Sequence, residues 1–433
     1  MIEIEAIPSK SFAHRALICA MLSLAAEGGA AADASKPPFA GSYAEAEKLA
    51  PCGLDSDDVL ATKACVRALM EGEDRLCCRE SGSTLRFLIP VAAALGRNVT
   101  FVTEGRLSER PLGALSDALA EHGVTVSTEG DLVKVAGVLA PGKFRLPGNI
   151  SSQFITGLLL AAPVLSGRTE IVLTTELKSK KYVDITIEVM RAFGAAVERT
   201  AAGFAVGEAE RYTAPEAPVV IEGDWSNAAF FLAAGAVGEA PVAVKGLDPD
   251  SAQGDREICR IIEAFGGRIE REETPDGTRV VSYPADLRAA PVDVSDVPDL
   301  APPVAALAAA AEGMTKITGT ARLRAKESDR VASIVSALSE TGIGAYDADD
   351  AILITGAGKK HGAENADETQ LLPVGGEVDS RGDHRIAMLG ALLSLLAGGT
   401  VRVTGASAVR KSYPDFFRVF ADAGLSGNLE TDL

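Results

Sequence analysis

Basic side chains stand repeatedly at the points where this sequence starts a helix. Phe12, Ala16, Leu17, Ala20, Met21 and Leu24 recur at helical spacing behind Ser9, a suitable N-cap. Lys10 and Arg15 therefore fall in the first turns. The amide dipoles already make that end positive, and a bare helix favours Asp or Glu there. The anomaly returns at Arg86, at Arg110 just before Pro111, at Lys326 and Arg330, at Arg381 and Arg385, and at Lys411. One such cation reads as a solvated side chain on an exposed turn. A series of them, in a chain of formal net charge −18, reads as a shared anionic ligand held by backbone N–H groups and side chains together. Glu109, Glu327, Asp329 and Asp383 are near enough in sequence to pair with some of these cations locally.

Two acids share the same surroundings. Asp299 and Glu327 sit at helix starts among the cations, a setting that can tune a carboxylate for proton transfer, worth about 10²–10⁴-fold. Asp299 also reads as a plain N-cap, and Glu327 as a local ion pair with Lys326 or Arg330. The cations come from both halves: Lys10, Arg15, Arg86 and Arg110 from the first, Lys326, Arg330, Arg385 and Lys411 from the second. That distribution predicts a site between two domains, closing on a ligand with several anionic groups.

Composition removes other classes of function. The strongly acidic balance argues against a nucleic-acid or anionic-membrane partner. Aromatic residues are only 5%, so Ala, Leu, Val and Ile must fill the cores. Cys19, Cys52, Cys65, Cys77, Cys78 and Cys259 form no Cys-x-x-Cys pair and read as reduced, mostly buried thiols of a cytoplasmic protein. His14, His122, His361 and His384 lack metal-ligand spacing, so neither a metal nor another cofactor is expected. No signal peptide and no apolar run of membrane-spanning length are read.

The elements that must position these residues repeat. Apolar helices open at Ser9, Ser81, Ser151, Asp224, Asp299 and Asp383, with steps of roughly 70–84 residues. Each unit adds a second, amphipathic helix closing on a glycine suited to a left-handed position: Gly72, Gly123, Gly194, Gly266, Gly342 or Gly424. Hairpin-like strands follow several of them. The unit reads βαβαββ, six times, in two domains of three. The segment 27–51 reads as a poorly specified loop that blurs the first unit, and 359–368 as a polar loop.

The strings carrying these residues resemble those of the EPSP synthase (3-phosphoshikimate 1-carboxyvinyltransferase) family. They are Ser9-Lys-Ser with Arg15, Gly82-Ser-Thr-Leu-Arg86, Glu109-Arg-Pro111, Ser151-Ser-Gln153, Asp224, Pro298-Asp299, Arg324-Ala-Lys-Glu-Ser-Asp-Arg330, Asp383-His-Arg385 and Lys411-Ser-Tyr-Pro-Asp415. Each is weak alone; the ordered set spans almost the whole chain. The resemblance implies a two-lobed, inside-out α/β barrel, each lobe three βαβαββ repeats around buried parallel helices. Residues 9–222 would form the lobe on the shikimate 3-phosphate side. Residues 1–8 with 223–433 would form the phosphoenolpyruvate and catalytic side, with the active site in the cleft. The implied activity is transfer of the enolpyruvyl group of phosphoenolpyruvate to the 5-hydroxyl of shikimate 3-phosphate.

The resemblance also assigns residues. Lys10, Asp299 and Glu327 are its catalytic set. Lys10, Ser11, Arg15, Ser151, Ser152, Gln153, Ser179, Tyr182, Asp299, Arg322 and Lys326 would contact shikimate 3-phosphate. Lys10, Gly82, Arg86, Arg110, Gln153, Arg330, Arg385 and Lys411 would contact phosphoenolpyruvate. No metal or cofactor is implied, and a monomer is expected. The chain departs from better-known members at Glu80, Ser83, Phe87 and Arg322. One rival is the sister transferase acting on UDP-N-acetylglucosamine, which usually carries a Cys where Gly105 stands. Another is a non-enzymatic repeat protein binding phosphorylated ligands.

Overall fold

The structure, a computed structural model, describes residues 1–25, 39–275, 277–358 and 373–433. Two compact units divide the chain: Pro8–Ile221, and Met1–Ile7 joined to Glu222–Leu433. The expected lobes set each crossing one residue later.

In the Pro8–Ile221 unit the helices are α1 (Lys10–Ser23), α2 (Tyr43–Leu49), α3 (Asp57–Glu71), α4 (Gly82–Ala94), α5 (Gly113–Ala120), α6 (Ser152–Ala161) and α7 (Lys180–Ala192). α1, α4 and α6 are apolar on nearly every side and are buried almost throughout. α4 meets α6 closely for a sequence reason. Pro90, inside α4, has no N–H to give the carbonyl of Arg86 one turn back. Gly157 of α6 packs onto that carbonyl, where a Cβ would come within 2.4 Å of the oxygen. The N-terminal ends of these two helices are thereby held side by side.

Two sheets cover the buried helices of this unit. Strands Arg75–Arg79 and Val99–Thr103 pair in parallel around α4, and the hairpin Val124–Glu129 with Leu132–Gly137 adds antiparallel strands after α5. Lys143–Leu146, Thr169–Leu173, Glu198–Thr200 and Gly203–Val206 repeat the plan around α6 and α7. Burial along Val99–Thr103 alternates with the two-residue period of a half-covered strand.

The other unit contains α8 (Trp225–Val237), α9 (Ile258–Ala264), α10 (Ala301–Ala310), α11 (Arg330–Glu340), α12 (His384–Ser394) and α13 (Phe416–Asp422). α8, α10 and α12 are the buried ones, packed on one another in a single apolar cluster. The strand Ile2–Glu5 joins this unit, parallel to Val242–Lys245. A second sheet orders Val292–Asp293, Glu312–Thr318, Ala351–Ala357 and Gly344–Asp347.

The six-fold βαβαββ expectation needs two corrections. Among the described residues the first repeat has helices α1, α2 and α3 but no named strand. The sixth repeat closes without a hairpin: Gly376–Asp379, Val401–Thr404 and Leu429–Thr431 run parallel throughout. The supposed loop 27–51 contains α2, whose Ser42 and Glu45 form a reciprocal capping box; residues 26–38 lie outside the described residues, as does the expected loop 359–368. All six closing glycines, Gly72, Gly123, Gly194, Gly266, Gly342 and Gly424, have positive φ between 70° and 87°.

Candidate active site

In the Pro8–Ile221 unit the site residues cluster where α1, α4 and α6 begin. Ser81 caps α4 by accepting from the Thr84 N–H, and Ser151 caps α6 by accepting from the Gln153 N–H. Gln153 then bridges the two helices. Its Oε1 accepts from Arg86 Nη1 at 2.7 Å, and its Nε2 donates to Ser83 Oγ at 2.9 Å. Gly82 lies beneath two guanidinium groups: a Cβ there would meet Arg110 Nη1 at 2.9 Å and Arg86 Nη1 at 3.1 Å. Arg110 Nε is buried with no hydrogen-bond partner among the described residues. Two cations drawn together over a helix N-terminus are an arrangement suited to an anion.

Arg15 is buried and serves as a clasp. Its Nε donates to Thr186 Oγ1 at 2.8 Å, Nη1 to the Ser11 carbonyl at 2.6 Å and Nη2 to the Tyr182 carbonyl at 3.0 Å. Its guanidinium stands 4.9 Å from the Phe87 ring centre, so the departure at Phe87 supplies a cation–π face. Burial pulls the Arg15 pKa down to about 9, which leaves it charged near neutral pH. Ser179, also buried, holds a left-handed conformation (φ 54°) at the start of α7, and Ser152 is buried in the first turn of α6. Lys10 Nζ lies 2.8 Å from Asp58 Oδ2 of α3.

The second unit gathers its residues where α8, α10 and α12 begin. Asp299 lies in the short 3-10 turn Pro298–Leu300 ahead of α10, so it is not that helix's N-cap; Leu300 holds that place. Its carboxylate instead accepts from Arg330 Nη1 at 2.9 Å, Arg385 Nη2 at 3.1 Å and Lys326 Nζ at 3.4 Å. Arg385 Nη2 also donates to Ser226 Oγ in α8 at 2.9 Å, which ties the three helix starts together. Glu327 accepts from Arg330 Nη2 at 2.7 Å, the local pair read as its alternative role. Arg330 Nε donates to Asp383 Oδ2 at 2.9 Å. Burial alone would lower the Arg330 pKa; Asp383, Glu327 and Asp299 outweigh it and raise it above the ordinary arginine value.

Three cations, Lys326, Arg330 and Arg385, thus face three carboxylates, Asp299, Glu327 and Asp383. Lys411 is buried at the end of the turn Ala406–Lys411, and the next residue, Ser412, accepts from Asn227 Nδ2 of α8 at 3.1 Å. Arg322 Nη2 donates to the Ser295 carbonyl at 2.6 Å. Arg381 is not part of the group: it is exposed, and its Nη2 donates to Ser336 Oγ. Nor does α5 start at Pro111; Leu112 is its N-cap, and Arg110 ends the preceding 3-10 turn.

Sequence reasoning missed Asp58, Thr186 and Ser226, and named Ser83 only as a departure from the family. The acids at the start of α3 look like ordinary dipole partners in sequence, and the hydroxyls of Thr186 and Ser226 carry no pattern of their own. The Asp383-His-Arg385 string did flag the carboxylate that grips Arg330.

The family model for EPSP synthase (3-phosphoshikimate 1-carboxyvinyltransferase) matches residues 2–420. The chain belongs to the EPSP synthase family. A 3-phosphoshikimate 1-carboxyvinyltransferase of Clostridium kluyveri is 40% identical over 427 residues, covering 96% of this chain and 93% of the relative. One of Halobacterium salinarum is 37% identical over 445 residues, covering 96% and 95%. Among solved structures, an EPSP synthase of Acinetobacter baumannii superposes with TM-score 0.72 at 24% identity, covering 98% of this chain and 96% of that one. The enolpyruvyl transferase NikO of Streptomyces tendae gives TM-score 0.69 at 17% identity, covering 98% and 95%. These two likenesses speak for the α/β fold alone.

Proposed function

We propose that this chain transfers the enolpyruvyl group of phosphoenolpyruvate to the 5-hydroxyl of shikimate 3-phosphate, releasing phosphate, as a step of chorismate and aromatic amino-acid biosynthesis. The observation that carries the reading is the Asp299 carboxylate held between Arg330 and Arg385, in a chain that matches the family model over residues 2–420. The Asp299 carboxylate, oriented by these cations, takes the proton of the attacking hydroxyl. Glu327 gives a proton to the methylene carbon of phosphoenolpyruvate and later removes one. The 5-oxygen bonds to the carbon bearing the phosphate, which makes a tetrahedral intermediate. Loss of phosphate and of the methyl proton restores the double bond. Lys10 lies between the reactants and stabilises the charge that develops.

In this reading Ser11, Arg15, Ser151, Ser152, Gln153, Ser179, Tyr182, Arg322 and Lys326 hold shikimate 3-phosphate. Gly82, Arg86, Arg110, Arg330, Arg385 and Lys411 hold phosphoenolpyruvate, with Gln153 serving both. The Arg86–Gln153–Ser83 chain and the two guanidinium groups drawn over Gly82 support that part of the assignment that falls in the Pro8–Ile221 unit. Both units serve one reactant pair, as a cytoplasmic monomer. No helix among the described residues is long and apolar enough to cross a membrane. Phosphate release is the test: it is expected with phosphoenolpyruvate plus shikimate 3-phosphate, not with UDP-N-acetylglucosamine as acceptor, and undiminished by a chelator. No release with the first pair ends the reading.

A further inference from the structure

We infer that Asp58 is the positioning residue for Lys10, holding its ammonium at the one place in α1 where a cation is least at home. The inference rests on the function proposed above. Lys10 is the first residue of α1, where the helix dipole repels a positive charge. Asp58 is the second residue of α3, where the dipole of that helix welcomes a negative one. The two meet at 2.8 Å with side chains only 16% and 10% exposed.

A second rung lies one turn deeper and fixes the first. His14, four residues after Lys10, shares a 2.6 Å hydrogen bond between its Nδ1 and the Oγ1 of Thr62, four residues after Asp58. Thr62 Oγ1 shares another, also 2.6 Å, with Thr84 Oγ1. Thr84 Oγ1 donates to Ser81 Oγ at 2.7 Å, and Ser81 caps α4, the helix that carries Arg86. All four side chains are buried. The ladder locks α1, α3 and the start of α4 in one register. Asp58 is thereby a fixed point rather than a swinging counter-ion.

The neighbouring acid shows the contrast. Asp57 pairs with Arg79 Nη1 at 2.9 Å, but those side chains are 36% and 42% exposed, an ordinary surface pair. Both acids satisfy the dipole of α3 equally; only Asp58 is aimed at a residue of the site. An ammonium has three donors, so Lys10 can keep its bond to Asp58 while it holds an anionic reactant. Without Asp58 the lysine loses this fixed carboxylate, and its ammonium shifts toward a phosphate as a simple counter-ion. Substrate would still bind, and transition-state placement would be lost.

The test measures phosphate release in the parent protein and in Asp58→Asn, Asp57→Asn, Lys10→Met and the Lys10→Met/Asp58→Asn double variant. Asp58→Asn is expected to lower kcat about tenfold or more with KM for both substrates within about threefold. Asp57→Asn, which removes the same charge from the same helix end, keeps the parent rate. The double variant is no slower than Lys10→Met alone, a non-additivity that loss of fold stability would not produce. Asp58→Glu, which keeps the charge on a longer arm, stands in if the Asn variant does not fold: it must slow the parent and leave the residual rate of the Lys10→Met protein unchanged. Asp58→Asn within twofold of the parent overturns the inference, as does a double variant slowed by the full single-variant factor. No release from the parent itself overturns the functional reading instead.

Discussion

Arg330 carries three carboxylates on one guanidinium that is 1% exposed, and one of them, Asp383, is fully buried. Removing one member of such a group strands buried charge, which costs about 3–5 kcal/mol. Arg330→Met is therefore expected to lose about that much stability in a denaturant titration; a loss below about 1 kcal/mol contradicts the geometry. Lys10→Met is the opposite case. Its partner Asp58 sits at a helix start that tolerates a carboxylate, so the fold survives while turnover falls, by about a hundredfold or more if Lys10 stabilises developing charge. Near-parent turnover refutes that role. His14 gives a pH prediction. Burial lowers its pKa from 6.5 to about 3, with Lys10 and Arg15 adding to the effect and Asp58 opposing it. The folded state holds it neutral, whereas the unfolded chain protonates it near 6.5. This contribution is whole above 6.5 and is lost as pH falls toward 3, at about 1.4 kcal/mol per pH unit. Stability curves for the parent and His14→Gln should diverge below pH 6.5; parallel curves there count against a buried neutral imidazole.

At the scale of elements, the site depends on how near two buried helices come. Gly157 of α6 rests on the Arg86 carbonyl that Pro90 leaves without its helical donor. Gly157→Ala places a methyl within 2.4 Å of that oxygen, so α6 must retreat from α4. Overpacking of this kind costs about 1–3 kcal/mol. The larger effect falls on Gln153, one turn earlier, whose bridge from Arg86 to Ser83 would stretch. A raised KM for phosphoenolpyruvate with a lowered melting temperature is expected, and a variant that keeps both parent values denies the close approach. The turn before α13 is anchored differently. The Phe231 ring lies 5.5 Å from that of Phe416, and Ser412 meets Asn227, so α8 holds Lys411 in place. The few aromatic residues of this chain are partly spent on that anchor.

At the scale of the whole molecule, the proposed function requires the two units to act on one reactant pair. Scattering profiles should contract when shikimate 3-phosphate and phosphoenolpyruvate are added together, and profiles unchanged by both would argue against closure. Much of the architecture was legible in the residues alone. Helices apolar on all sides, such as α8, can only be interior, and a glycine after an amphipathic run, such as Gly194 or Gly342, ends it in the left-handed region. Cations at Lys10, Arg86 and Arg385 violated the dipole rule, and that local conflict pointed to the candidate site. Nothing local distinguishes Asp58 from Asp57, or shows Asp299 ahead of its helix rather than capping it. Those facts depend on partners far away in sequence: Asp58 on Lys10, 48 residues earlier, and Asp299 on Arg385, 86 residues later. Periodicity and capping act over one or two turns, so the chain's own order determined which helices are buried and where they begin. Which carboxylate meets which cation was decided only when packing brought those helix starts together, because a hydrogen bond depends on distance in space and not on separation along the chain.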